Sequence, residues 1–384
     1  MMLKYFFFCL LSLLIFFPQQ TIFAEESDLK YITQRHQEAV DKALVWLAKQ
    51  QDPKKGSWGG GGSLREKNKF AIATTSFAVL AFLGRGHLPG RGPYGDNVSK
   101  GISYILKIVG TTGYISKIDD ASRMHGHAYA TMMLAEVFGA APEDILIKDP
   151  KFEGKTEITN QFLKEKLQLA IQLVIASQTT SGGWGYEPPD LSQLDVDDHE
   201  GSITVCQLQA LRSARNAGFW IDSTVINRAL SYLRKSAKKN GSFKYRLNDS
   251  TSKDSYGLTA AAISTFHAIG EYDSPEVRNG FDFLKGKKYD RVLGYMQEDE
   301  YYHTFWCYAQ YYATQAFFHH PSETMWEQWY YKSGGIQQYL LAEQNPNGSW
   351  KEPQSFLRFG ENYSTAVCAL ILEVPYNYLP IFQR

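Results

Sequence analysis

The chain contains the stretch Gln178-Thr-Thr-Ser-Gly-Gly-Trp184, which lies between an apolar helical segment and a second, more apolar one. A similar stretch, Gln344-Asn-Pro-Asn-Gly-Ser-Trp350, occurs near the C-terminus. Glycine permits a tight reversal of the backbone, and tryptophan can cover the end of a helix. Glutamine can bond the backbone groups that a helix terminus leaves without a partner. Each stretch therefore predicts a helical hairpin.

This hairpin pattern recurs six times along the chain. The second helices, predicted over 74–83, 126–138, 202–217, 258–269, 303–318 and 364–373, are apolar on all sides, as expected of helices buried from both faces. The first helices carry polar stripes, so they belong outside. The pattern predicts an all-α protein, an α/α toroid with an inner and an outer ring. A small residue marks each first helix at intervals of 51–69 residues: Ala43, Gly101, Ala170, Ala229, Gly280 and Gly335.

The turns resemble the "QW" repeats of the terpenoid cyclase and protein prenyltransferase superfamily, at 50–58, 178–184 and 344–350. This resemblance covers nearly the whole chain after residue 24. It implies that residues 25–384 form a single α6/α6 toroid domain of a squalene cyclase-like type.

Residues 1–24 combine Lys4, an apolar run over 5–17 and Ala24, which is the layout of a cleaved secretory signal. We expect a secreted or periplasmic protein, although retention of this segment as a membrane anchor is the alternative. No later stretch is long and apolar enough for a transmembrane helix.

Forty basic residues balance 40 acidic ones, which disfavours nucleic-acid binding. The cysteines after residue 24 are expected to be buried free thiols; they are Cys206, Cys307 and Cys368.

In such a toroid the inner helices run the same way, so their N-termini converge on one mouth that favours polar ligands. Asp195-Val-Asp197-Asp198 precedes one inner helix and resembles the Asp-x-Asp-Asp element of class II triterpene cyclases. The resemblance implies Asp197 as the general acid that protonates an alkene, supported by Asp195 and Asp198. This chain departs from the family by inserting His199-Glu200-Gly201 before the helix. A solvent-exposed acidic loop is the alternative.

Other polar and aromatic residues are expected at the same mouth. Glu200 and His127 are candidate catalytic residues. The candidate ligand-binding residues are His125, Tyr256, His303, Trp306 and Tyr363.

A metal site is a further option. Tyr302-His303-Thr304 resembles the zinc-ligand histidine motif of protein prenyltransferase β subunits, and Asp254 resembles their aspartate ligand. Tyr256 stands where those proteins have a cysteine, which leaves two of the three protein ligands that a catalytic zinc normally takes. We expect no required cofactor, with Zn²⁺ or Ca²⁺ as the alternative, and the sequence indicates no partner subunit.

Three classes of function remain open. The resemblance favours an exported protein that binds or transforms an isoprenoid or other lipid, as a class II terpene cyclase-like enzyme if it is an enzyme. The acidic cluster with the histidines also suits a glycosidase or polysaccharide lyase acting on a carbohydrate. The third class is a non-catalytic binding module.

Overall fold

The computed structural model describes residues 32–59, 69–140, 146–152, 154–189, 199–286, 305–351 and 359–383. Two short antiparallel strands, β1 (Leu146–Phe152) and β2 (Lys155–Thr159), form a hairpin beside the helices. The helices of the described residues are α1 (Gln34–Gln50), α2 (Ala71–Gly84), α3 (Gly95–Lys107), α4 (Arg123–Ala140), α5 (Asn160–Ala176), α6 (Gly201–Asn216), α7 (Ser223–Ser236), α8 (Tyr256–Ala268), α9 (Pro275–Gly286), α10 (Trp306–Phe318), α11 (Glu323–Tyr330), α12 (Ile336–Glu343) and α13 (Glu361–Glu373).

The helices form two concentric rings, as the sequence predicts. The inner ring runs α2, α4, α6, α8, α10 and α13, and α13 packs against α2 to close it. Every residue of α2 except Ala73 is buried, whereas the outer helix α1 buries a single stripe with helical spacing. The composition of the two helix classes thus reflects burial from both faces or from one.

The three tryptophan turns are anchored in the same way. The indole Nε1 of Trp184 donates to Val174 O at 2.7 Å, in the last turn of α5. Gln178 Nε2 donates both to Gly182 O within the turn and to Val225 O in the next outer helix, each at 2.9 Å. The Trp184 bond satisfies a carbonyl in the last turn of α5, and the second Gln178 bond joins the hairpin to its neighbour.

In the first hairpin Gln51, rather than Gln50, plays the glutamine's role. Its Nε2 donates to Gly56 O at 2.8 Å and to Asn97 O at 2.9 Å. Gln50 is exposed, so the motif of this hairpin is one residue shorter than its sequence alone suggested.

The turn glycines set the distance between neighbouring hairpins. Gly56 has φ +78°, and a Cβ on it would lie 2.6 Å from Lys100 O in the outer helix α3. Gly348 has φ +95°, and a Cβ on it would lie 2.4 Å from Lys42 O in α1, so this close approach joins the last hairpin to the first. The small residue that marks the repeat has a related role, since a Cβ on Gly101 would lie 3.0 Å from the Trp58 ring.

Two features depart from the simple six-hairpin pattern. The outer layer of the sixth hairpin consists of two short helices, α11 and α12, instead of one. The β1–β2 hairpin lies between α4 and α5, and Ile147 pairs with Ile158 as its buried contact. This insertion accounts for the longest interval in the repeat.

The C-terminal segment covers the end of the ring opposite the predicted mouth. It contains two 3₁₀ turns, Val374–Tyr376 and Pro380–Phe382, and buries Ile381 and Phe382. Gln383 O accepts from Arg212 Nη2 at 3.1 Å and lies 3.2 Å from His319 Nε2, at the C-terminal ends of α6 and α10. That end of the lumen is therefore closed by the chain itself.

Two further expectations concern single residues and membrane spans. Cys206, Cys307 and Cys368 are buried thiols outside any disulfide, as predicted. Among the helices of the described ranges, none has the length and apolar character needed to cross a bilayer. The predicted signal, residues 1–24, lies outside the described residues.

Candidate functional site

The N-terminal ends of the inner helices meet at one mouth. Ser202 in the first turn of α6 contacts His125 in the first turn of α4, and one turn further Cys206 contacts Tyr129. These paired contacts show that α4 and α6 run parallel and in register. Partly exposed side chains of the first turns, and of the loops before them, line this mouth.

Three polar residues of the mouth form a hydrogen-bonded chain. His125 Nε2 lies 3.0 Å from Ser202 Oγ, and Ser202 Oγ donates to Glu200 Oε2 at 2.6 Å. Glu200 caps α6, accepting from Ser202 N at 2.9 Å and from Ile203 N at 3.1 Å. A carboxylate at a helix N-terminus satisfies amides that the helix leaves unpaired.

These hydrogen bonds join a fully buried acid, Glu200, to a partly exposed base, His125. Burial raises the pKa of Glu200 to about 7, although the bonds from Ser202 and Ile203 lower it. Burial lowers the pKa of His125 to about 4, so its ring is neutral at pH 7. Glu200 is therefore balanced between its neutral and ionised forms near neutral pH.

Tyrosines surround this chain. Tyr186 and Tyr245 share a hydrogen bond between their hydroxyls, and Tyr245 O accepts from Gly201 N at 2.9 Å. The hydroxyl of Tyr308 is buried and has no hydrogen-bond partner among the described residues. Burial raises the pKa of Tyr308, and so do the nearby Cys206 and Glu200. Tyr308 Oη thus lies within electrostatic range of the Glu200 carboxylate.

The floor of the mouth lies one helical turn below its rim. Cys206 Sγ is 3.1 Å from Tyr129 Oη and 3.4 Å from Tyr312 Oη. Because α6 and α10 are not neighbours in the ring, the contact with Tyr312 spans the lumen. Deeper still, Gln209 Nε2 donates to Gln315 Oε1 at 2.9 Å. A helical turn rises about 5.4 Å, so the part of the mouth inside the ring is about one turn deep.

An aromatic wall stands opposite the polar chain, where α2, α10 and α13 begin. We define it as Phe70, Phe77, Phe305, Phe359 and Tyr363. The ring centroids of Phe70 and Phe359 are 4.8 Å apart, and those of Phe359 and Tyr363 are 5.2 Å apart. Phe77 extends the wall to the floor, with its centroid 4.5 Å from that of Tyr129. The mouth therefore has one polar side and one aromatic side.

Only some of the predicted site residues meet here. His125, Glu200 and Tyr363 lie at the mouth. Tyr256 and Trp306 face the outer ring, since Tyr256 Oη accepts from Trp329 Nε1 at 3.3 Å and the Trp306 ring lies 5.5 Å from that of Tyr339. The predicted residues that lie outside the described ranges are Asp195, Asp197, Asp198 and His303.

His127 belongs to the turn of its hairpin. Its ring is fully buried, and Nδ1 accepts from Ile115 N at 3.2 Å. In the tryptophan turns a threonine hydroxyl does the same, as Thr204 Oγ1 does for Trp184 N at 3.1 Å. His127 therefore stands at the threonine position of the repeat and is not brought together with His125.

The residues considered for a metal are placed differently. Asp254 pairs with Lys238 Nζ at 2.5 Å and accepts from Ser242 Oγ at 2.7 Å. Lys238 and Ser242 keep the pKa of Asp254 below its usual range against the effect of burial. Within the described ranges, no group of three His, Cys, Asp or Glu side chains could hold a metal ion. A site that includes His303 stays a prediction.

Sequence reasoning did not assign functional roles to Ser202, Tyr308, Cys206 or Tyr129. A usable signal was present in the spacing of four residues between His125 and Tyr129 and between Ser202 and Cys206. Residues four apart share one face of a helix, so these pairs mark the stripe that faces the lumen.

Solved structures share this architecture at low sequence identity. A variant of the type II terpene cyclase MstE from Scytonema, in complex with geranylgeranyl dihydroxybenzoate, is 13% identical with a TM-score of 0.53, and the match covers 92% of this chain and 99% of that one. The GH76 α-mannanase BT2949 of Bacteroides thetaiotaomicron is 10% identical with a TM-score of 0.55, over 89% of this chain and 96% of that one. The fold is an α/α toroid.

The similarity in fold is not accompanied by a sequence match to a protein family. No protein-family model matches the chain, and no curated protein matches it. A glycosidase structure is also similar, with 11% identity and a TM-score of 0.55 over 90% of this chain and 98% of that one. The neighbours thus include both terpene cyclase and carbohydrate-active toroids, and they establish the fold alone.

Proposed function

We propose that the mouth of the toroid binds an isoprenoid or related lipid, and that the chain transforms it with Asp197 as the general acid. The observation that carries the proposal is the aromatic wall, which offers Phe70, Phe359 and Tyr363 at the rim. Aromatic faces pack well against hydrocarbon and stabilise positive charge that develops on it. The MstE complex supports the choice of ligand class, because its ligand carries a geranylgeranyl group.

The shallow floor limits how the ligand is held. Cys206 and Tyr312 close the lumen below the first turn, so a long hydrocarbon lies across the wall and does not thread the ring. The role of Asp197 rests on its resemblance to the Asp-x-Asp-Asp acid of class II cyclases.

Native mass spectrometry on the gently purified protein tests the binding step. We expect a bound mass of isoprenoid size in the wild type and in the control Trp220→Ala, which removes an aromatic side chain that is 81% exposed away from the mouth. The double variant Phe70→Ala/Phe359→Ala should lose that mass. Equal retention by all three proteins would contradict binding at the wall.

Turnover is tested separately. With the recovered lipid as substrate, Asp197→Asn should abolish conversion and leave binding at the wall unchanged. Conversion at the wild-type rate would remove Asp197 as the acid.

A carbohydrate-active enzyme is the second candidate, favoured by the full burial of Glu200. Burial raises the pKa of Glu200 to about 7, which suits a general acid at neutral pH. A glycosidase needs a second carboxylate, which the acidic stretch 195–198 would supply. Release of reducing sugar from a polysaccharide panel, lost in Glu200→Gln, would favour this function over the lipid.

A further inference from the structure

On the polar side of the mouth, Ser202 and Glu200 determine which nitrogen of the His125 ring carries the hydrogen. Ser202 Oγ directs its hydrogen to Glu200 Oε2 at 2.6 Å, so it can only accept from His125 Nε2, 3.0 Å away. Both Glu200 oxygens accept backbone amides, and the ionised form of Glu200, which predominates above pH 7, acts only as an acceptor. Nε2 of His125 therefore carries the ring hydrogen, and Nδ1 is left as an acceptor.

A second, independent group marks the same place. The hydroxyl of Tyr308, in the first turn of α10, is buried and has no partner among the described residues. A buried hydroxyl without a partner is unfavourable, so its donor is available to a ligand oxygen. The mouth thus offers one acceptor, His125 Nδ1, and one donor, Tyr308 Oη, beside an aromatic wall.

We propose that this mouth recognises an amphipathic alcohol, whose hydroxyl donates to His125 and accepts from Tyr308 while its apolar body lies on the aromatic wall. Ser202 and Glu200 are positioning residues, since they hold the His125 tautomer without touching the ligand. The inference rests on the proposed lipid function and specifies the polar group of that ligand.

Two matched probes, compared at pH 8.5, test it. Farnesol can donate to His125 and accept from Tyr308, whereas farnesyl methyl ether can only accept. We expect the wild type to bind farnesol about 3- to 10-fold more tightly than the ether, the difference that one neutral hydrogen bond contributes. His125→Phe should abolish the preference, and Tyr308→Phe should weaken both probes by a similar factor.

The control is His87→Phe, which changes a partly buried histidine beyond the C-terminal end of α2 and should keep the preference. Equal affinity of the two probes for the wild type would overturn the hydroxyl inference and leave the lipid function standing. Failure of both probes to bind would refute the lipid function, and the inference with it.

The tautomer gives a readout that does not depend on binding. In protein labelled with ¹⁵N in the histidine rings, the His125 signals, assigned by their loss in His125→Phe, should show a protonated Nε2 and an unprotonated Nδ1 at pH 8.5, where Glu200 is ionised. Ser202→Ala should shift His125 towards the other tautomer, and Ser202→Thr, which keeps the hydroxyl, should restore the wild-type pattern. A protonated Nδ1 in the wild type would overturn the proposal.

Discussion

The contact between the last hairpin and the first is the most sharply testable feature of the ring. Gly348 has φ +95°, and a Cβ on it would collide with the backbone of Lys42 in α1. Gly270, just beyond α8, has φ +90°, and a Cβ on it would meet nothing within 4 Å. The two glycines share a backbone conformation and differ in the close approach, so Gly270→Ala is a matched control for Gly348→Ala.

The expected losses in the free energy of unfolding have two causes, the left-handed backbone conformation and the close approach. Holding a residue with a Cβ in the left-handed conformation costs about 1–2 kcal/mol of stability, and both variants bear this cost. Forcing a methyl group into a packed contact costs about 1–3 kcal/mol more, and only Gly348→Ala bears this cost. We therefore expect a loss of about 1–2 kcal/mol for Gly270→Ala and of about 2–5 kcal/mol for Gly348→Ala.

Urea unfolding followed by circular dichroism measures both changes in the free energy of unfolding. If Gly348→Ala is not recovered in folded form, Gly56→Ala provides a second test, because its Cβ would lie 2.6 Å from Lys100 O. Equal losses for the ring variants and Gly270→Ala would show that the close approach carries no energy, and the account of ring closure would be wrong.

Three further predictions concern anchors and buried charge. Trp184→Phe removes the indole bond to Val174 O and should cost about 1 kcal/mol or more in urea unfolding; no change would contradict the anchoring role. His127→Thr restores the threonine of the other turns and should preserve the secondary structure and ligand binding; loss of binding at an unchanged Tm would instead place His127 in the site. Burial raises the pKa of Glu136 from 4.5 to about 7, so the stability it contributes is complete below pH 4.5 and falls by about 3 kcal/mol as the pH rises to 7. Glu136→Gln should flatten this decline in urea midpoints measured from pH 5 to 8, and an unchanged slope would refute the shift.

Much of the fold could be predicted because repetition and burial leave local traces. The glycine-tryptophan turns identify the hairpin joints, and the apolar character of α2 on all sides identifies an inner helix. The one-residue error at Gln50 arose because two glutamines are adjacent there, and only the position of Asn97 in the next hairpin selects Gln51.

The site could be predicted only in part, because direction around a helix decides which side chains reach the lumen. His125 and His127 are two residues apart, which places them about 200° apart around α4. One ring therefore faces the mouth, and the other anchors the turn at Ile115. Tyr256 and Trp306 were expected at the mouth for their position in the first turn, but they face the outer ring.

The sequence by itself determined that the chain folds as six helical hairpins in two rings, because each repeat contains a helix-period apolar pattern and a turn with glycine and an aromatic residue. Tertiary structure alone decided that His125 meets Ser202, which is 77 residues away, and that a polar chain faces an aromatic wall. Those contacts depend on the register of parallel inner helices and on their rotation about their axes, and packing between distant hairpins sets both.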